Sequence, residues 1–571
     1  MAAPSMHHQP LLEIDDHSPK RSNTSSRKTI YVVLSFVAII CPTALIAFHL
    51  NHPSSSSSDL SSSAIPSHLC DRAHNPASCI AMIAEAVNGE EQRLGRLSDS
   101  DFLQIFLKKS VSRISKAIEV VNDFNGRSND LKEQSALANC VELMDSSIDR
   151  VMDSVVALKT QSTQSHADAH AWLSAVLTNH DTCLDGLSES TQLNDPSRLA
   201  LKMEVEDLIA RARTSLAMIT AISPSNYEES IWSRVHEFPP WITMRDRKLL
   251  EALPKAVTAN VVVAKDGSGK YTSVQQAVTA APDNSNTRYV IYVKKGTYKE
   301  KVEIGKKKKN LMIVGDGMDL TIITGNLNVI DGSTTFDSAT VVVVGDGFIA
   351  QDICFQNTAG PEKHQAVAIR VGADQTVFNR CKMDAYQDTL YAHSLRQFYR
   401  DCSIIGTVDF IFGNAAMVIQ NSKIIARKPM NGQGNMCTAQ GRIDPNQNTG
   451  ISIQNCDVIA STDLVPVKNT IKTYLGRPWK LYSRTVYMQS LIGDHINPAG
   501  WAEWDKDFAL KTLYYGEYAN RGPGAGTGNR VKWPGYHVIT NPAEAKKFTV
   551  AELIQGGVWL KSSGVAFTEG L

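Results

Sequence analysis

The sequence predicts a right-handed parallel β-helix catalytic domain preceded by an all-α four-helix bundle, with an N-terminal transmembrane segment. Three observations predict it. In the C-terminal part, a short pattern of two mostly polar residues, a Cys or Ser, and an apolar residue two places on recurs at spacings in the low twenties, as a β-solenoid requires. Ahead of it, apolar residues fall at helical spacing. Near the start, residues 29–50 contain no Asp, Glu, Lys or Arg. At 571 residues the chain exceeds one compact domain.

The elements follow in order. Lys20, Arg21, Arg27 and Lys28 precede the uncharged run, which as a helix is long enough for a hydrocarbon core of about 30 Å. This reads as a cytoplasmic tail at 1–28 and a signal anchor at 29–50. A cleavable leader has an apolar core of only about 7–15 residues, and basic residues stay on the cytoplasmic side. The remainder then enters an oxidising compartment. Residues 51–67 form a Ser-rich linker.

Residues 68–222 read as helical. Leu137, Val141, Met144, Ile148, Val151, Val155 and Leu158 are spaced 4,3,4,3,4,3, one apolar stripe along a helix. Similar periodicity through 103–121, 170–188 and 198–219 gives four helices and an antiparallel bundle. Of its four cysteines, Cys70 and Cys79 would staple a short hairpin, and Cys140 and Cys183 would tie the second helix to the third. Four cysteines allow three pairings, and spacing does not choose among them.

A linker at 223–256 carries the exposed basic pair of Arg247-Lys248-Leu249-Leu250. From 257 to 571, short Val- and Ile-rich runs alternate with Gly, Asn and Asp, which is β-structure without long helices. The repeat aligns Gln351-Asp352-Ile353-Cys354-Phe355 with segments centred on Cys381, Cys402, Ser422 and Cys456, at spacings of 27, 21, 20 and 34. A β-sandwich is the competing architecture.

That phasing places chemistry. Asp388 lies seven residues after Cys381, and Asp409 seven after Cys402, so the two should stack on neighbouring strands about 4.8 Å apart. Gln365 and Gln387, 22 residues apart, should stack likewise. Two adjacent carboxylates cannot both ionise freely, which supplies one nucleophile and one general acid. No G-x-S-x-G elbow, H-E-x-x-H helix or Walker loop occurs. The run Lys306–Lys309 reads as a solvated turn that could graze an anionic polymer. Lys plus Arg and Asp plus Glu both number 58, and nothing marks a nucleic-acid partner.

Gly296-Thr297-Tyr298-Lys299-Glu300, Gln365-Ala366-Val367-Ala368-Ile369, Gln387-Asp388-Thr389-Leu390, Asp409-Phe410-Ile411-Phe412-Gly413 and Leu475-Gly476-Arg477-Pro478-Trp479 occur in that order. With these motifs, residues 259–571 resemble a plant pectin methylesterase (pectinesterase). Residues 68–222 resemble the pectin methylesterase inhibitor domain that many such enzymes carry as a pro-region, and Arg247-Lys248-Leu249-Leu250 is similar to the processing motif between the two. The resemblance implies hydrolysis of the C6 methyl esters of homogalacturonan, with Asp409 as nucleophile and Asp388 as proton donor and then base. It implies Gln387 and Gln365 as oxyanion donors, Arg477 as the residue orienting Asp409, and Thr335, Gln365, Arg477, Trp479, Tyr391 and Phe412 as substrate-binding. No metal or organic cofactor is implied.

As partners the resemblance implies methyl-esterified homogalacturonan, the chain's own pro-region, separate inhibitor proteins, a subtilisin-like protease and, through 29–50, a membrane. It implies a Golgi-membrane precursor in the secretory pathway and a monomeric mature enzyme in the cell wall. Cys354 and Cys381 would bridge successive coils. Ser422 departs from the family, which commonly has Cys there, paired with the position of Cys456. A β-helical pectin lyase or polygalacturonase shares the architecture and polymer and is the alternative, as is a mainly inhibitory module at 68–222.

Overall fold

A computed structural model describes residues 65–89, 94–160, 162–190, 198–222 and 258–571. The expected tail at 1–28, the run at 29–50, most of the spacer 51–67 and the whole of the linker 223–256, with Arg247–Leu250, lie outside them.

A short helix, α1 (Pro76–Val87), precedes four long ones: α2 (Asp99–Arg127), α3 (Leu131–Ala157), α4 (Thr163–Ser190) and α5 (Leu199–Ala221). Local chemistry marks where they begin. Ser98 and Asp101 form a reciprocal capping box on α2, and the Asp130 carboxylate accepts the Lys132 and Glu133 amides at the start of α3. Both satisfy donors that a helix start leaves open. On α3, Leu137, Met144, Val151 and Val155 are buried, while Val141 and Ile148, at the edge of the stripe, are half-buried. α2–α3, α3–α4, α4–α5 and α2–α5 are packed neighbours, which closes a four-helix bundle. Cys70 is bonded to Cys79, and Cys140 on α3 to Cys183 on α4.

From Val261 onward the chain winds through three sheets of 11, 8 and 7 described strands. All strand pairings are parallel, and neighbours in a sheet are mostly every third strand of the chain. Each winding therefore adds one strand to each sheet, which makes a parallel β-helix. The repeat seen in the sequence has a physical cause. Asp352, Arg380, Asp401, Asn421 and Asn455 all have φ between 50° and 54°. Each makes a one-residue left-handed bend between a strand of the 11-stranded sheet and one of the 8-stranded sheet, and Asn and Asp tolerate that conformation. The residue after the bend turns inward: Ile353, Cys381, Cys402 and Cys456 all lie in the solenoid core. Helices Val550–Ile554 and Gly556–Trp559 cover the outer face of the 11-stranded sheet through Val550, Leu553, Ile554 and Trp559.

Two expectations are corrected. Among the described residues no helix is long and apolar enough to cross a membrane. The transmembrane part of the expected fold class therefore finds no support in the described residues, which do not include 29–50. The long helices present are amphipathic, with apolar faces buried inside the molecule.

The expected Cys354–Cys381 bridge is also absent, and all five solenoid cysteines are unbonded. Cys354 pairs in register with Lys382, not with Cys381. Ile353 and Phe355 point into the core with Cys381 and Met383, so the Cys354 and Cys381 thiols face opposite sides of the sheet. The first repeat unit is out of phase by one residue, and a one-residue slip reverses every side chain.

Candidate active site

Strand Leu390–Ala392 of the 7-stranded sheet pairs with Ile411–Gly413, Leu390 opposite Ile411. Asp388 and Asp409, each two residues upstream, therefore occupy matching positions one winding apart. The Asp388 amide donates to Val408 O at 3.0 Å. Both aspartates are left-handed, φ 64° and 51°, a conformation that costs energy in a non-glycine residue and gathers at functional sites. Both are 6% exposed. Burial, then the neighbouring charge of Asp409, holds the Asp388 carboxyl well above the usual carboxylate range.

Arg477, in strand Thr473–Pro478, donates from Nε and Nη2 to the two carboxylate oxygens of Asp409 at 2.8 and 2.6 Å. Burial opposes the guanidinium charge, but Asp409 overrides it and raises the Arg477 pKa. Gln365 and Gln387 form a parallel bridge beside the aspartates. Their backbone carbonyls accept from Val329 and Ala366, and their primary amides are uncommitted among the described residues.

The floor is aromatic. Tyr391 and Phe412 stack in register, centroids 4.3 Å apart, and Trp479 meets the edge of Phe412 at 6.0 Å. Gly441 makes room for Trp479, because a Cβ there would stand 2.8 Å from the indole. Thr335 lies in the loop before strand Val341–Val343, next to Phe336, whose ring meets Tyr391 edge-on at 6.4 Å. The structure thus gathers the expected acids, amides, arginine and aromatics along one face.

Other participants had no signal in the repeat. Trp504, half exposed, lies over the Arg477 guanidinium at 4.3 Å. Helix α4 lies along the same face. Thr182 hydrogen-bonds His393 Nε2 at 2.9 Å, and Thr178 accepts from Asn414 at 2.9 Å. Lys480, beside Trp479, is paired with Asp181 at 3.1 Å and Asp185 at 2.7 Å. At the rim, Glu189 has its carboxyl pushed up to about 7, first by partial desolvation and then by Asp185, and its charge acts on Asp388. Helical periodicity reports the inward face of α4 and cannot show what the opposite face covers.

The family model described as Pectinesterase matches residues 260–557, and the model described as Plant invertase/pectin methylesterase inhibitor matches 64–222. The chain is 56% identical to the pectinesterase/pectinesterase inhibitor 18 of Arabidopsis thaliana over 99% of both chains. It is 59% identical to a pectinesterase/pectinesterase inhibitor of Ficus pumila var. awkeotsang, over 88% of this chain and 91% of that protein. Among solved structures, the pectin methylesterase from carrot is 61% identical with a TM-score of 0.55, covering 55% of this chain and 99% of its own.

Proposed function

The chain belongs to the pectinesterase family, and from that premise we propose that it hydrolyses the C6 methyl esters of homogalacturonan through an acyl-enzyme on Asp409. Asp409, oriented by the Arg477 fork, attacks the ester carbon. The oxyanion that forms accepts hydrogen bonds from the uncommitted amides of Gln387 and Gln365, and a donor of this kind contributes about 3–4 kcal/mol in other hydrolases. Collapse expels methoxide, which takes the proton of Asp388 and leaves as methanol. Asp388, now a carboxylate, takes a proton from water as the hydroxide attacks the acyl carbon, and Asp409 departs. Thr335, Tyr391, Phe412 and Trp479 hold the sugar rings. A single observation carries the reading: a buried carboxyl, raised well above the usual carboxylate range, stands one winding from a carboxylate gripped by an arginine.

The bundle acts as an autoinhibitory pro-region, supported by the course of α4 over the same face. Cleavage after Leu250 by a subtilisin-like protease releases the solenoid, and separate inhibitor proteins of the same kind would dock where the bundle sits. The substrate is a wall polymer, and the two disulfides suit an oxidising compartment, so the place of action is the cell wall. The test is methanol release from methylated homogalacturonan by residues 258–571. Release without loss of chain length is expected, and its abolition in Asp409→Asn. Shortening of the polymer would favour the lyase or glycosidase reading instead.

A further inference from the structure

Strands Lys382–Asp384, Ser403–Gly406 and Lys423–Ala426 are neighbours in the 8-stranded sheet, with Asp384 opposite Ile405 and Gly406 opposite Ala426. Each is followed by a turn that leads into the 7-stranded sheet. The first turn carries Gln387 and Asp388, and the second carries Asp409. The third opens with Arg427, whose side chain reaches back past the second turn and closes on the first. Its guanidinium lies on the Tyr386 ring, 3.8 Å from the centroid, and Nη2 donates to the Tyr386 hydroxyl at 3.0 Å. Nη1 donates to Asp384 Oδ1 and to the Ala385 carbonyl, each at 3.1 Å. The other Asp384 oxygen accepts from Gln356 Nε2 at 3.1 Å. The Arg427 backbone is fixed as well: its amide donates to Gly406 O at 2.9 Å, and its carbonyl accepts from Asn435 Nδ2 at 3.1 Å.

One side chain thus fastens three consecutive residues, Asp384, Ala385 and Tyr386, directly ahead of Gln387 and Asp388. The Tyr386 carbonyl extends the hold, accepting the Thr407 amide at 2.9 Å and the Thr389 hydroxyl at 3.2 Å. Asp388 is left-handed at φ 64°, and such a conformation persists only where its surroundings over-determine it. A planar guanidinium seated on an aromatic face, with both terminal nitrogens engaged, is suited to that task. The partners of the clamp all belong to the solenoid, so it stays closed once the bundle has left.

We infer that Arg427 is a positioning residue for the esterase chemistry: through Asp384, Ala385 and Tyr386 it sets the turn from which Gln387 reaches the oxyanion and Asp388 delivers its proton. It acts through those residues and not on the ester. A catalytic group displaced by about 1 Å can cost about 100-fold in rate, so the loss of Arg427 falls on kcat. Polymer binding, which the aromatic floor of Tyr391, Phe412 and Trp479 supplies, is left in place.

This rests on the esterase reading, and one experiment separates the two. The carrot enzyme, 99% of whose chain is matched by a 55% share of this one, stands without a bundle, so residues 258–571 are the species to assay. Methanol release from methylated homogalacturonan is measured for the unaltered fragment, Arg427→Ala and Arg427→Lys. Arg427→Ala is expected to lower kcat about 10- to 100-fold with KM within about twofold. Arg427 is half-buried, so the shortened side chain leaves a space that solvent reaches. Free guanidinium at about 20 mM, far below denaturing concentrations, is expected to return several-fold of the lost rate, and sodium chloride at the same concentration none. Arg427→Lys keeps the charge beside Asp384 without the fork or the stacking; an intermediate loss in kcat is expected, and it decides the matter if Arg427→Ala does not fold. A kcat within about threefold of the unaltered value in both variants, a change confined to KM, or a loss that guanidinium leaves untouched overturns the positioning role and leaves the esterase standing. No methanol from the unaltered fragment overturns the esterase reading itself.

Discussion

Arg477 grips both carboxylate oxygens of Asp409 with two separate nitrogens, at 2.8 and 2.6 Å, across 68 residues of chain. A lysine supplies a charge but no fork. It would also lose the stacking of Trp504 on the guanidinium. Arg477→Lys is therefore expected to lower kcat for methanol release by about 100-fold, the scale of losing one preorganised contact in an active site. Steady-state kinetics on methylated pectin checks this, and a change confined to KM would mean that Arg477 only binds sugar.

The two raised carboxyls set a pH dependence. Burial, then Asp409, raises Asp388. Partial desolvation, then Asp185, raises Glu189 to about 7, against the pull of Lys132 and Lys480. An acid whose folded pKa exceeds its unfolded value contributes stability that is complete below the unfolded pKa and is lost as pH climbs through the folded one. For Glu189 that window runs from its ordinary value of 4.5 to about 7. Burial lowers His166, His170, His180, His393 and His495, which act with the opposite sign below their ordinary 6.5. The Glu189 share is therefore read as a difference: from about pH 5 to about pH 7 the melting temperature of the full chain should fall relative to that of Glu189→Gln. The Glu189 side chain is exposed, so its share is small beside that of Asp388. Calorimetry of both chains across that range decides, and a difference that moves in favour of the unaltered chain as pH rises would contradict the sign.

How much of this was legible in the sequence follows from what a repeat can report. Left-handed bends such as those at Arg380, Asp401 and Asn421 recur once per winding, so the spacing of Asp388 from Cys381 and of Asp409 from Cys402 carried real positional information. The phase of a single unit was less secure. Where Ile353 takes the inward place that Cys381 takes in the next winding, the eye is drawn to Cys354, and the register is read one residue late. Contacts between the bundle and the solenoid were illegible for a different reason. Thr182 and His393 are separated by 211 residues and share no period. The same holds for Glu142 and Arg370, whose long contact joins the bundle to the solenoid.

Gly413 ends the strand that carries Phe412. Its φ is 120°, and a Cβ there would stand 2.1 Å from the Ala392 carbonyl oxygen on the neighbouring strand. Backbone on both sides leaves little to move, so Gly413→Ala combines a forbidden conformation with a clash. It is expected to destabilise residues 258–571 by roughly 2–4 kcal/mol and to disturb the Tyr391–Phe412 stack. Denaturant unfolding measures the first effect. A loss under about 0.5 kcal/mol, typical of an uninvolved surface site, would show that the strand end can relax.

Ser422 and Cys456 face each other one winding apart, because Lys423 pairs with Asp457 and the Ser422 amide points at the Cys456 sulfur, 3.4 Å away. Parallel neighbours stand about 4.8 Å apart, within the range of about 4.4–6.8 Å between Cα atoms that a disulfide spans. Ser422→Cys should therefore form a bridge with Cys456 under oxidising conditions. Closing a separation of 34 residues is worth about 3–4 kcal/mol in the chain-entropy account. Against this, the serine hydroxyl accepts the Cys402 amide at 3.0 Å and donates to Gln420 O at 2.9 Å, and losing those bonds costs about 1–2 kcal/mol. Closure wins, leaving a net gain of about 1–3 kcal/mol by the same estimates. Unfolded without reductant, the variant should titrate four thiols where the unaltered solenoid, with five unbonded cysteines, titrates five. Six would mean that no bridge forms between the two windings.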